Sequence, residues 1–462
     1  MDILTIETPS LGDRSYVVTD GATAAVIDPQ RDIDRVFELT RPRDLTITHV
    51  LETHIHNDYV SGGLELARRT GATYVLNGAD ETFFDFHPVT EGDELTVGEL
   101  SIRVVHTPGH TPTHVAFVVT GGATTAVFTG GSLLYGAVGR TDLVSRAATR
   151  DLTRAQFATA QRLVRELPDD AVVLPTHGFG SFCSSAAPDD RSGGGGVEMS
   201  TIGEERDRNL AFTVADEDEF VATLLAGFDA YPRYYAYMGP RNRVGPEGVE
   251  LSAPVAASPA ELEARMLAGE WVVDLRSRTA YARDHVTGTV NIGLDGSFVT
   301  YLAWLIPWST PVTLVGDTPG EVAYAQRDLA RVGIDRPTAH AVGGVGGYGD
   351  GLARSSYRIV DFEVLAEARA DGHDPPHVLD VRRNDERREL AVAGSQHIPI
   401  HELLRRIDEV PADREVWIHC ASGYRASIAA SMLTGRHRVT ALVDDDDHRI
   451  AELGLDRPTG DD

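Results

Sequence analysis

The first half of the chain is built from short apolar runs punctuated by Gly, Pro, Asp and Asn. SYVVTDG, TAAVIDP, THVLETHIH, TYVLNG, LSIRVVHTPGH, THVAFVVTGG, TAVFTGG and AVVLPTHG each read as a strand bounded by turn residues. Apolar positions recurring at about 3.6 residues predict helices over 62–70 and 153–167, and a longer helical region over 216–228. Histidines stand where several of the strands end. The segment SSAAPDDRSGGGG at 184–196 is a loop by composition, and 231–258, rich in Pro and Gly, reads as a linker.

The second half repeats itself. Residues 259–356 give a helix, the strand WVVDLRS, the segment HVTGTVNI, the strand VTLVGD and a helix from about Gly320. Residues 360–462 give a helix, the strand HVLDVRR, the segment VAGSQHIPI, the strand VWIHC and a helix from about Ala426. Asp274 precedes Asp317 by nearly the distance at which Asp380 precedes Cys420. Equal order and spacing point to duplication of a small doubly wound α/β domain.

Length and charge narrow the function. At about 150 residues per domain, 462 residues suggest three domains. The net charge is −28 and every basic residue is arginine. With no lysine, Schiff-base chemistry and a phosphate-binding P-loop lysine are excluded. The negative charge argues against nucleic acid as a partner. Only Cys183 and Cys420 carry thiols, which excludes a disulfide scaffold and multi-thiolate clusters and fits a reducing cytoplasm. The most apolar stretch, 301–308, is short and contains Pro307, so no membrane span is expected, and MDILTIETPSLGDRSYVV lacks a signal pattern.

The strand THVLE runs into His54-Ile-His56-Asn-Asp58. Two histidines one residue apart at a strand end point the same way and can share an ion, and Asp58 can serve a neighbouring position. His110, in TPGHT, and His177, in PTHG, also follow strands. Imidazoles suit zinc or iron. Single histidines such as His87, His106 and His114 read as capped loop residues. An HxHxD followed by further strand-end histidines reads as a metal site.

THIHND, TPGHT and PTHG, in this order, resemble the metallo-β-lactamase superfamily, and IDPQRDID, GRTDL, HGFGSFC and STIGEERDRN are similar to its persulfide dioxygenase branch. The resemblance implies an αβ/βα sandwich over 1–245 with a metal at the sheet edges. Two positions depart from the family. Tyr59 replaces the last histidine of THxHxDH, and Gly131 replaces the aspartate that follows FTG. In persulfide dioxygenases that aspartate completes a two-histidine, one-carboxylate iron site whose histidines fall on His54 and His110. One ion, zinc or iron, is therefore the most expected, held by His54, His56 and His110 with water in the fourth position; the alternative is a weak or absent metal. Asp58 and His177 lack the bridging carboxylate for a second ion. Gly131→Asp is expected to restore an iron site. Cys183 reads either as a small buried residue or, by the resemblance, as a thiol beside the pocket.

Cys420 ends the strand VWIH, and Ala421-Ser422-Gly423-Tyr424-Arg425 leads into a helix. Backbone N–H groups and the helix dipole favour a thiolate there and can cradle an anionic persulfide. Arg425 adds charge to the loop or braces it against Asp380. The loop, with LDVR upstream, resembles the rhodanese family, whose activity is sulfane-sulfur transfer through a cysteine persulfide. Two rhodanese-like domains are thus expected, at 252–356 and 357–462. The first places Asp317 opposite Cys420 and Val322 opposite Arg425, so it should be inactive. The acidic run Asp444-Asp445-Asp446-Asp447 reads as a solvated loop.

Three functions remain open: a sulfane-sulfur enzyme coupling a persulfide dioxygenase-like or hydrolase-like domain to a sulfurtransferase; a zinc hydrolase of thioesters with an attached rhodanese; and a metal-free module serving Cys420. The expected partner is a low-molecular-weight thiol persulfide or thiosulfate. The sequence leaves the oligomeric state, a homo-oligomer included, open.

Overall fold

The computed structural model describes all residues except 179, 186–198, 372–374, 443–446 and 457–462. Most of the 184–196 loop and of the acidic run lies outside the described residues. The chain divides into two compact units, Met1–Glu250 with Ala330–Gly333, and Leu251–Leu329 with Ile334–Asp462.

The first unit holds two six-stranded sheets. Asp2–Thr8, Asp13–Thr19, Thr23–Ile27, Thr46–Leu51, Thr73–Asn77 and His87–Val89 follow one another across the first. The second runs from Glu94–Val97 through Leu100–His106, Val115–Gly121, Thr124–Gly130 and Val172–Pro175 to Ser200–Thr201. Successive side chains of a strand point to opposite faces. Tyr16, Val18, Leu51, Val104, Phe117 and Phe128 therefore enter one core between the sheets. Val17, Val26 and Val50 pack outward with Leu64 and Leu66 of the helix Gly63–Thr70. Val105, Ala116 and Val173 pack outward with Leu163 of the helix Thr149–Glu166. Both sheets are covered on both faces, which is why their strands read as unbroken apolar runs. The result is the expected αβ/βα sandwich.

The helix expected over 153–167 begins a turn earlier, at Thr149. Glu217–Gly227 forms where expected, capped by the Asp216 side chain. The linker expected over 231–258 is corrected. Tyr235–Val244 is a helix with Tyr235, Met238 and Asn242 buried, and Pro240 lies inside it. The Pro and Gly content hid that helix. Pro tends to break a helix interior, but here burial of its apolar face overrides the local preference.

The second unit carries two parallel sheets of matching order. Val290–Asn291, Trp271–Asp274, Val312–Val315 and Ala339–Ala341 form one. Gln396–His397, His377–Asp380, Val416–His419, Val439–Leu442 and Arg358–Val360 form the other. Val312–Val315 occupies in its sheet the place that Val416–His419 occupies in the other. Asp317 and Cys420 thus follow equivalent strands, as the repeat implied. Among the described residues no helix is long and apolar enough to cross a membrane.

Candidate functional site

The strand Thr46–Leu51 ends in the core, and the polar loop after it is buried. His54, His56, Asp58, His110 and His177 are each at most 1% exposed. Burying so many polar groups is tolerable only where each is bonded or coordinates something.

The ring nitrogens divide by partner. His110 Nδ1 donates to the Arg140 carbonyl at 2.7 Å, and its Nε2 is buried without a hydrogen-bond partner. His177 Nδ1 donates to Asp13 Oδ1 at 2.9 Å. His54 Nδ1 lies 2.9 Å from Thr53 Oγ1, whose hydroxyl donates to Asp28 Oδ2 at 2.7 Å. His54 Nε2 stands 3.5 Å from His177 Nε2. One ring nitrogen from each of His54, His110 and His177 falls within 4.8 Å of the others. Burial, with the neighbouring imidazoles, keeps His54 and His110 neutral and pulls His110 down to about 3. Three imidazoles with Nδ1 engaged by the protein and Nε2 edges converging fit a divalent ion, because an outer hydrogen bond fixes the tautomer a ligand needs.

His56 does not join them. Its Nε2 lies 3.2 Å from Asp28 Oδ1, 3.3 Å from Glu52 Oε2 and 2.9 Å from Tyr59 Oη. Burial opposes charge on His56, but Asp28 and Glu52 outweigh it and push it up to about 9. Its Nε2 is thus taken by these three neighbours, while its Nδ1 is buried without a hydrogen-bond partner. The ring nitrogen that comes within 4.8 Å of those of His54 and His110 is that of His177, whereas the expected set joined His56 to them. Tyr59 is fully buried against His56 and donates to the Asp28 carbonyl at 3.2 Å. It braces the loop where the family has a ligand.

Asp58 Oδ2 lies 3.2 Å from His177 Nδ1, and a grouping of His56, Asp58 and His177 also comes within ligand distance. Burial alone would raise Asp58, but His177 outweighs it and holds the carboxylate below its ordinary range. Burial and then Asp58 push Asp13 up to about 7.

Gly131 is more than a missing ligand. A Cβ placed there would come 2.3 Å from His110 Cδ2, so the His110 ring fills the space a side chain would need. The Gly131 N–H donates to His114 Nε2 at 3.0 Å, and His114 Nδ1 lies 2.7 Å from Thr107 Oγ1, so both nitrogens of His114 are engaged. The restored iron site expected for Gly131→Asp meets a steric obstacle. We expect that variant to displace His110 and to lose about 1–3 kcal/mol, the usual cost of overpacking. A lowered melting temperature without a gain in iron binding checks this.

Cys183 is fully buried. Burial, then Asp58 and Asp13, push its thiol well up, so it stays protonated beside the histidine cluster. A cavity of about 530 Å³ opens on the ligand loops at Ile55, Asn57 and Thr111, with Tyr231, Tyr235 and Arg243 on its other walls.

Several supporting residues escaped the sequence reading. Asn242 donates to the carbonyls of His56 and Tyr59 and accepts from the Ser61 N–H, tying the HxHxD loop to a helix that had been read as linker. Asp28 sits at φ 50, a strained value for a non-glycine residue. The Thr53 N–H donates to its Oδ1 at 2.7 Å. Asp28 lay in the quoted IDPQRDID segment, but nothing there revealed its role.

At the second candidate site, Cys420 Sγ accepts from the N–H of Gly423 at 3.1 Å and of Ala426 at 3.4 Å. Gly423 takes φ 84 as it enters the helix Tyr424–Leu433, a backbone that favours glycine. Ala421 is 3% exposed, Ser422 is partly exposed, and the Tyr424 hydroxyl donates to the Gly293 carbonyl at 2.7 Å.

Arg425 does not brace against Asp380. It grips Glu386 with both arms, at 2.6 and 2.7 Å. Asp380 is taken by Arg382 and Arg387. Burial would raise Glu386, yet Arg425 outweighs it and holds it down to about 2. A carboxyl depressed in the folded state contributes fully at neutral pH, and loses that contribution as pH falls from its ordinary 4.5 toward about 2. Removing one partner of a buried pair costs about 3–5 kcal/mol. Glu386→Ala should therefore lower stability by that amount at neutral pH. The deficit should shrink in acid, as pH-dependent denaturant titrations would read.

In the first repeat the equivalent loop is occupied by the chain itself. The N–H groups of Asp317 and Thr318 donate to Glu321 Oε2 at 2.7 and 3.0 Å. Val322 is buried where the other copy has Arg425. The backbone donors that would hold a bound anion are thus taken by a resident carboxylate.

Comparison with known proteins agrees with this division. Residues 13–177 match the metallo-beta-lactamase superfamily and 363–445 the rhodanese-like domain. A mitochondrial persulfide dioxygenase of Homo sapiens is 28% identical over 213 residues, covering 46% of this chain and 72% of its own. A hydroxyacylglutathione hydrolase of Parasynechococcus marenigrum is 31% identical over 229 residues, covering 44% of this chain and 88% of its own. The crystal structure of a metallo-beta-lactamase from Staphylococcus aureus superposes with a TM-score of 0.66 at 27% identity, covering 74% of this chain and 99% of that one. The strand-end histidines, the sandwich that presents them and these likenesses converge: the chain belongs to the metallo-β-lactamase superfamily and carries a rhodanese-like domain toward its C-terminus.

Proposed function

We propose that the chain handles sulfane sulfur and thiol derivatives at two sites, a one-metal hydrolytic centre in the first unit and a persulfide-carrying cysteine in the second. The observation that carries the first is the set of His54, His110 and His177, whose ring nitrogens converge while Arg140, Asp13 and Thr53 engage the outer nitrogens. These three residues would hold a zinc-class ion, which supplies acidification of water to a pKa of about 7. The protein's part is to fix geometry. Asp13 orients His177, the Arg140 carbonyl orients His110, and Asn242 holds the loop between His56 and Ser61. The cavity beside Ile55, Asn57 and Thr111 admits the substrate. A thioester or related thiol derivative is the substrate class, supported by the hydroxyacylglutathione hydrolase relative. Cys420, cradled by backbone N–H groups, is the sulfur-carrying thiol.

A second reading, iron-dependent oxidation of a persulfide, is favoured by one observation. Neither buried oxygen of Asp58 has a hydrogen-bond partner, and with His56 and His177 it forms a two-imidazole, one-carboxylate grouping. That geometry is the one non-haem iron oxygenases use. The test is elemental analysis of the purified full chain, with oxygen uptake on cysteine persulfide and hydrolysis of a hydroxyacyl-glutathione thioester measured in parallel. Zinc with hydrolysis and no oxygen uptake supports the first reading. Iron with rapid oxygen uptake and sulfite formation supports the second.

A further inference from the structure

The loop around Cys420 is unusual in its charge. Ala421, Ser422, Gly423 and Tyr424 carry none, and the one cation of the loop, Arg425, is 1% exposed and held in both arms by Glu386. The neighbouring cations are also matched. Arg382 pairs with Asp380 at 2.9 Å and Asp447 at 3.0 Å, and Arg387 with Asp380 at 3.0 Å. From the first repeat, the segment that receives the Tyr424 hydroxyl carries Asp295, itself paired with Arg278 at 2.9 Å. Sγ is left with backbone N–H donors at 3.1 and 3.4 Å. The ring of Tyr424, which belongs to this loop, lies 5.9 Å from that of Tyr301.

Two donors could charge such a cysteine. Thiosulfate brings a sulfonate directly bonded to the sulfur it gives up, and sulfite, a dianion, must leave inside the loop. A thiol persulfide leaves as a thiolate with one charge and an organic group. Backbone N–H groups at a helix start suit one negative charge. A second needs a guanidinium that is not already spent on a carboxylate.

We infer that Cys420 takes its sulfur from an organic thiol persulfide and discriminates against thiosulfate. The inference rests on Cys420 being the sulfur-carrying thiol. In the step, the Cys420 thiolate attacks the terminal sulfur of R–S–SH. The Sγ–S bond forms as the donor's S–S bond breaks, and the electron pair leaves on R–S⁻. The donor's proton stays with the transferred sulfur, and no external oxidant or reductant is consumed.

The test uses the full chain, reduced and then mixed with equal concentrations of cysteine persulfide or thiosulfate. The gain of one sulfur is followed by mass spectrometry and mapped to the Cys420 peptide. Cysteine persulfide should load Cys420 at least about tenfold faster, the lower end of what electrostatic focusing changes in a rate. Ser422→Arg, which brings an unspent guanidinium into the loop, should shift the ratio toward thiosulfate about tenfold. In the unmodified chain the thiosulfate rate should rise with added salt, since screening relieves like-charge repulsion. Equal loading by the two donors, or a thiosulfate rate that falls with salt, overturns the inference and leaves Cys420 as the carrier. Loading by neither overturns the carrier assignment and the inference with it.

Discussion

Replacing Cys420 by serine is expected to reduce sulfur transfer from cysteine persulfide to cyanide to the uncatalysed background. The thiolate is the nucleophile, and a serine hydroxyl is neither ionised at neutral pH nor able to carry a sulfane sulfur. The fold should survive, because the oxygen meets the same two N–H donors that serve Sγ. Asp317→Ala is the matched control and should leave transfer unchanged. Asp317 follows the equivalent strand of the first repeat, where Glu321 already fills the backbone donors. Loss of transfer in Asp317→Ala with retention in Cys420→Ser would reverse the roles of the two copies.

His110→Ala is expected to weaken metal binding more than Asp13→Asn, which leaves all three ligands in place and alters one outer hydrogen bond. An outer partner contributes about 10–100-fold in affinity, so loss of a ligand should exceed that range. Isothermal titration with zinc reads the difference directly. Thermal melting gives an independent readout, because an ion that binds only the folded state raises the melting temperature in proportion to its affinity. In His110→Ala the zinc-dependent rise should vanish. In Asp13→Asn it should shrink. An unchanged rise in His110→Ala would place the ion elsewhere.

Much of this was legible in the sequence because the chemistry sits at strand ends. THVLETHIHND, TPGHT and PTHG give the histidines and their elements together. Apolar runs bounded by Gly and Pro give the two sheets. CASGYR between an apolar strand and a helix gives the cysteine loop, and the repeat of order and spacing gives the second copy of its sheet, with Asp317 at the place of Cys420.

What the sequence hid are choices between competing partners. Period-two reasoning sends His54 and His56 the same way, but it takes no account of Glu52, four residues before His56, and Asp28, at the end of the neighbouring strand, which both pair with His56. His177 lies with His54 and His110, its ring held by Asp13, far away in sequence. Arg425 has carboxylates at both Asp380 and Glu386 to choose from. Asp380 is already taken by two arginines, which no local pattern reveals. Gly131 reads as a lost ligand, while the structure adds that the His110 ring fills the space a side chain would need there. The helix Tyr235–Val244 was concealed by its Pro and Gly, and is stabilised by what it buries.

The most direct test of the one-metal centre is the zinc content of the full chain after loading and exhaustive dialysis, compared with His177→Ala and His56→Gln. A single ion per chain is expected in the unmodified protein, none in His177→Ala, and retention in His56→Gln, because His56 pairs with Asp28 and Glu52 and lies outside the ligand set. Retention in His177→Ala with loss in His56→Gln would contradict the assignment.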